Sequence, residues 1–168
     1  MRCWTHRSST CSPEGRSEGV YLIIISCSAR KLDTKKPTPA IDLYTGVFYG
    51  VLKKALKEYP GLRNSIEVAI VSAKYGLMTS DTHITTYDLK MTSQIAAKQR
   101  NANTKRLAEI VKKTKPQAIF SVMGKTYQDS IDFSMVGVPV KCMSGSLGYL
   151  LRDFKALLQR IAEKEVNL

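Results

Sequence analysis

From Gly19 onward the chain alternates between short runs that are apolar on both parities and longer runs whose apolar residues recur at helical spacing, and this constrains its fold more than any other feature. The short runs are 20–26, 67–72, 117–122 and 136–142. Each carries Ile, Val or Phe at odd and even positions alike, as a strand buried on both faces requires, and both faces are covered only when helices return the chain across the sheet. The alternation predicts an α/β fold, a three-layer α/β/α arrangement around a mostly parallel four-stranded central sheet. Between the strands, 41–59 is expected to be one helix ended by Pro60-Gly61, with Leu43, Phe48, Leu52, Ala55, Leu56 and Tyr59 on one side. A final helix carries a stripe of Leu147, Leu150, Leu151, Phe154, Leu157, Leu158 and Ile161 opposite Arg152, Lys155, Gln159 and Lys164.

With 168 residues and 43% hydrophobic side chains there is material for one core, so the expectation is a single α/β domain over 20–168. Residues 1–19 show neither period and read as a flexible extension. The apolar run 20–25 is far shorter than the roughly 20 residues that cross a bilayer. A lipoprotein signal ending at Cys27 is disfavoured by the long segment before it and its Glu14 and Glu18, so the expectation is a cytoplasmic protein with no membrane association. Cys3, Cys11, Cys27 and Cys142 form no CxxC pair and only His6 and His83 accompany them, so neither a disulfide scaffold, nor a metal site, nor a cofactor is expected.

Twenty-six Lys and Arg against 14 Asp and Glu give a net charge of +12, which favours anionic partners. The charge is concentrated in the helix expected over 93–115, where seven Lys or Arg face one Glu between Lys98 and Lys115. Lys98, Lys105 and Lys112 repeat every seven residues, with Arg106 and Lys113 one position further round, a cationic ridge opposite Leu107, Ile110 and Val111. Such a ridge suits a phosphate backbone and equally suits a solvated surface.

In a parallel sheet the loops leaving the carboxyl ends of the strands converge on one edge, where ligands bind. All four expected loops are rich in hydroxyl, glycine or lysine: Ser26 to Lys31, Ser72 to Leu77, Met123-Gly124-Lys125, and Met143 to Gly148. Small side chains let a ligand approach backbone N–H groups and Lys supplies positive charge, so the edge is suited to phosphates. Neither the Gly145 segment nor Gly124-Lys125-Thr126 fits a dinucleotide or Walker fingerprint. Asp33, Asp42, Asp81, Asp88 and Asp129 form no close pair for metal-assisted phosphoryl transfer, and Asp88 is the best single acid.

The ordered segments Cys27-Ser28-Ala29-Arg30-Lys31, Pro39-Ala40-Ile41-Asp42-Leu43-Tyr44-Thr45-Gly46, Ser72-Ala73-Lys74-Tyr75-Gly76-Leu77 and Tyr87-Asp88 resemble a small YaaA-like domain family, distantly similar to the catalytic domain of archaeosine synthase. The resemblance spans roughly residues 20–155 and implies a core similar to uracil-DNA-glycosylase-like folds, with work on nucleic acid or a modified base. The KPY and Ser/His cluster of archaeosine synthase is missing after Lys31, so its lysine-transfer chemistry is not carried over. On this reading the protein is a nucleic-acid- or nucleotide-processing enzyme, N-glycosidase-like or base-modifying. The alternative is a non-enzymatic DNA- or RNA-binding stress-response protein. The expected catalytic residues are Asp88, to orient water or stabilise charge at a sugar carbon, Cys27, as a nucleophile at a helix N-terminus, and Lys31. Ser28, Tyr44, Ser72, Lys74, Tyr75, Gly76, Tyr87, Gly124, Lys125, Ser144 and Gly145 are the expected substrate-binding set, with Tyr44 stacking on a base. Lys98, Lys105, Arg106, Lys112 and Lys113 are expected to contact the backbone of a nucleic acid.

Overall fold

The computed structural model describes residues 19–164 and Val166, so the expected extension falls almost wholly outside the described residues. In chain order the elements are β1 (Tyr21–Ser26), β2 (Thr38–Pro39), α1 (Ala40–Leu43), α2 (Val47–Glu58), α3 (Leu62–Ser65), β3 (Ile66–Ser72), β4 (Gly76–Thr79), β5 (His83–Ile84), α4 (Ser93–Thr114), β6 (Ala118–Val122), α5 (Lys125–Gln128), a 3-10 turn (Phe133–Met135), β7 (Val140–Cys142) and α6 (Leu147–Ala162). The main sheet runs β4-β3-β1-β6-β7, parallel except for β4, and β2 pairs antiparallel with β5 in a separate two-stranded ribbon.

The strands are apolar on both parities because each parity serves a different core. Ile23 and Ile25 of β1, with Ile66, Val68 and Ile70 of β3, pack under α2 and α6 with Leu52, Leu56, Phe154 and Leu158. Leu22, Ile24, Ala69 and Val71 face the other way, under Ala96, Leu107 and Ile110 of α4. Burying side chains of this size stabilises by about 1.5–3 kcal/mol each, so the two cores together hold three layers. Asn103 is a buried polar anchor within α4: its Oδ1 accepts from Leu77 N–H at 2.8 Å and its Nδ2 donates to the Ser130 carbonyl at 3.2 Å.

The sheet has five strands where four were expected. The addition is β4, hidden in what reads as a loop: Gly76, at φ +72°, reverses the chain, and residues 76–79 pair back on β3. A Cβ at Gly76 would lie 2.6 Å from Asn103 Oδ1, so the site requires glycine on both conformation and space. The helix expected over 41–59 is two helices, interrupted where Tyr44 takes an extended conformation and bridges to Lys31. Gly46 then opens α2, its N–H donating to Ser28 Oγ at 3.1 Å. The strand expected over 136–142 is only Val140–Cys142, preceded by Gly137 and by Pro139, which has no N–H to give a ladder. The stripe on α6 begins one turn later than its periodicity suggests, with Leu147 exposed at the start of the helix.

Candidate functional site

The carboxyl ends of β1, β3 and β6 are occupied by a cluster of hydroxyl groups and one thiol. Ser72 closes β3 and is fully buried. Its Oγ accepts the backbone N–H groups of Lys74 and Tyr75, each at 3.1 Å, and lies 2.6 Å from Tyr87 Oη. A serine hydroxyl has two acceptor sites and one proton, so with both acceptor sites filled Ser72 donates to Tyr87. Tyr87 in turn lies 2.7 Å from Tyr44 Oη. The two tyrosines hold two protons between them and share one bond, so one phenolic proton is left over from the Ser72-Tyr87-Tyr44 chain itself, with the Cys27 side chain, which also interacts with Tyr87, in the same cluster.

The phenols are held neutral. Burial pushes Tyr44 up to about 12, and raises Tyr87, Tyr49 and Tyr127 further above the ordinary tyrosine value. Tyr49, also buried, donates to the Ser26 carbonyl at 3.0 Å and forms the floor under β1. Tyr75 differs: at the exposed rim, its hydroxyl lies 3.1 Å from Thr85 Oγ1, and that bond, with the nearby Lys74 charge, lowers its pKa. The rings of Tyr75 and Tyr87 meet edge to face at 5.4 Å.

Two lysines flank this group. Lys31 Nζ stands 4.4 Å from the Tyr87 ring centroid, and Lys74 Nζ stands 5.2 Å from that of Tyr75. Neither forms an ion pair with an acid among the described residues, so both charges are available to a ligand.

Cys27 is not at a helix N-terminus, contrary to expectation, because the chain after β1 runs through a loop and the next helix starts at Ala40. Its N–H is committed to the Val71 carbonyl at 2.8 Å and its Sγ lies 3.2 Å from Tyr127 Oη. Tyr44 is fully buried with only its hydroxyl end in the cluster, so its ring is not a free surface for stacking a base. Ser28 is taken up locally: its hydroxyl bonds the Arg30 carbonyl while accepting from Gly46. Asp88 follows Tyr87, is exposed, and has no hydrogen bond or ion pair with another described residue.

The third and fourth loops stand apart from the cluster. Lys125 is exposed and bonded to Asp129 at 2.7 Å, with Gly124 just before it at the start of α5. Ser144 lines a separate cavity beside β7, and Gly145, at φ +132°, leads the chain towards α6. Gln128 joins the two loops, its Nε2 donating to the carbonyls of Met123 and Met143. On α4, Lys98, Lys105, Lys112 and Lys113 are exposed as expected of a ridge, while Arg106 is held by Glu109 at 2.8 Å. Sequence reasoning missed Tyr49, Tyr127 and Gln128. Tyr127 and Gln128 follow β6 by a few residues, a weak signal of polar chemistry near a strand end, whereas Tyr49 reads only as part of the apolar first turn of α2.

A family of unknown function, DUF6884, matches residues 22–144, nearly three-quarters of the chain and every residue of the tyrosine cluster. The chain belongs to that family. No curated protein matches it. The part of the chain matching DUF6884 runs from β1 to the loop after β7, so the match covers the sheet and the cluster, while α6 lies beyond it. Among the described residues no three His, Cys, Asp or Glu side chains gather to hold a metal ion, and no helix is long and apolar enough to cross a membrane.

Proposed function

We infer that this DUF6884 domain binds a nucleotide, free or within a nucleic acid, at the carboxyl edge of its sheet and acts on the base or its N-glycosidic bond. The observation that carries this reading is the leftover phenolic proton of the Ser72-Tyr87-Tyr44 chain, flanked by the ammonium groups of Lys31 and Lys74, which have no acidic partner among the described residues. A neutral O–H donor beside positive charge is complementary to a base that gains negative charge as its bond to the sugar breaks. Lys31 and the Tyr44/Tyr87 proton then steady the departing base, and Asp88, exposed and next to Tyr87 in the chain, supports the oxocarbenium-like sugar or orients the attacking water. The motif resemblance to YaaA-like and archaeosine-synthase domains supports the same substrate class.

The test is incubation of the purified protein with DNA, tRNA and nucleotide pools, with released bases and altered nucleosides followed by mass spectrometry. A new mass, lost in both Asp88→Asn and Tyr87→Phe proteins that remain folded, is the expected result. Unchanged pools with the parent protein reject the enzymatic reading. A non-enzymatic nucleic-acid binder is the second reading, favoured by the exposed Lys98, Lys105, Lys112 and Lys113 of α4, which form no ion pair among the described residues, and it requires salt-sensitive binding with unchanged pools.

A further inference from the structure

Beside the edge strand β7, on the α6 side of the sheet, lies a cavity of about 380 Å³ whose lining includes Phe120, Lys141, Met143, Ser144, Leu157 and Arg160. That volume is ample for a small ligand. The lining departs from the pattern of its surroundings. Lys141 is in register with Phe120 on β6 and so projects on the same face, yet Phe120 is buried in the core and Lys141 is not. Lys141 lies on the edge strand, so its charge stays exposed to solvent while it borders the cavity beside the buried Phe120.

From α6, Asp153, Leu157 and Arg160 reach the same cavity at spacings of four and three residues, one ridge of the helix. Asp153 is engaged by Arg152, outside the lining, at 2.8 Å. Lys141 and Arg160 have no acidic partner among the described residues. Two other cavities carry balanced charges, with Arg100 on Asp132 in one and Arg106 on Glu109, beside Lys113 and Glu67, in the other, while a third pairs Lys54 with Glu58 and leaves Lys155 without an acidic partner among the described residues. The β7 cavity instead combines an apolar floor of Phe120, Met143 and Leu157 with two uncommitted cations.

We propose that this cavity is a second ligand site, distinct from the tyrosine cluster, which takes a small organic anion: a carboxylate, phosphate or sulfonate attached to an apolar body. The body rests on Phe120, Met143 and Leu157, the anionic group lies between Lys141 and Arg160, and the Ser144 hydroxyl is available as a further donor.

The probe is anilinonaphthalene sulfonate, with uncharged phenylnaphthylamine as its partner compound, both read by fluorescence on the full-length protein. The sulfonate is expected to bind saturably at one site per chain. Lys141→Gln combined with Arg160→Gln weakens it by about tenfold or more while leaving the uncharged compound unchanged. Ser144→Trp, which fills the mouth, weakens both compounds. Lys112→Gln with Lys113→Gln removes equal charge from α4 and changes neither. Thermal melting establishes that each variant is folded. Sulfonate binding that does not saturate, that survives the Lys141/Arg160 substitutions, or that falls equally with the α4 pair overturns the site.

Discussion

Tyr44 and Tyr87 illustrate how one hydrogen-bond count sets the chemistry of a site. Because Ser72 is filled by two backbone donors, the direction of its bond to Tyr87 is fixed, and the proton left over belongs to the tyrosine pair. The same burial that keeps these phenols neutral links them to stability. Tyr44 titrates at about 12 in the folded chain and near 10 when unfolded. Its contribution is therefore fully present below about pH 10 and is lost as pH rises towards 12, because the unfolded chain releases a proton that the folded chain retains. The urea midpoint should fall as pH is raised through this window, and less steeply in a Tyr44→Phe variant. Phenolate absorbance should show Tyr75, the one rim tyrosine whose pKa is lowered, ionising first. Equal alkaline slopes for parent and Tyr44→Phe would remove this group from the account. Tyr44 was visible in the sequence, but as a stacking surface; burial of the ring leaves its hydroxyl as the chemical end.

Among the elements, α4 follows its sequence most closely, and its end shows why. Thr92 caps the helix, accepting from Ile95 N–H at 3.2 Å, and Lys115 closes it in the left-handed region at φ 46°. Glycine takes that conformation without the steric cost that a Cβ brings. Lys115→Gly should therefore stabilise the protein by about 0.5–1 kcal/mol, less the extra entropy glycine gives the unfolded chain. A raised urea midpoint is the expected result, and a lowered one would show that the Lys115 side chain contributes more than its backbone costs. The 41–59 segment departed from its periodicity for a reason that lies outside it. The Tyr44–Lys31 bridge and the Ser28–Gly46 bond draw its first turn away from α2 and towards the loop after β1. No helical period within the segment records a partner from a different loop.

For the molecule as a whole, the net charge of +12 and the exposed α4 ridge predict how a polyanion would bind. Gln99 Nε2 donates to the Ala73 carbonyl just beyond β3, while Arg106, Lys113 and Thr114 line a cavity with Glu67 near the start of the same strand. The ridge thus runs from the edge holding the tyrosine cluster to the opposite edge of the sheet. Affinity for single-stranded DNA or RNA should fall linearly on a log–log plot against salt. Replacing Lys98, Lys105 and Lys112 by Gln should flatten that slope by about 2–3, close to the unit per phosphate contact expected from counterion release. An unchanged slope would mean that the charge of α4 serves solubility and that any nucleic acid binds elsewhere.

The sequence by itself determined the layer order, the parallel core strands and the basic helix, because periodicity and burial on both parities are local properties that survive in one dimension. It also singled out the loops after the first two long strands, since Cys27, Lys31, Ser72 and Lys74 all sit just beyond apolar runs. Only the tertiary structure decided that Gly76 starts a fifth strand, that Cys27 meets Tyr127 one hundred residues away, and that Ser72, Tyr87 and Tyr44 share one leftover proton. It likewise decided that Lys141 faces a cavity beside Phe120. Each of these depends on strand register or on contacts between distant segments, and the folded packing fixes such contacts where no local spacing can.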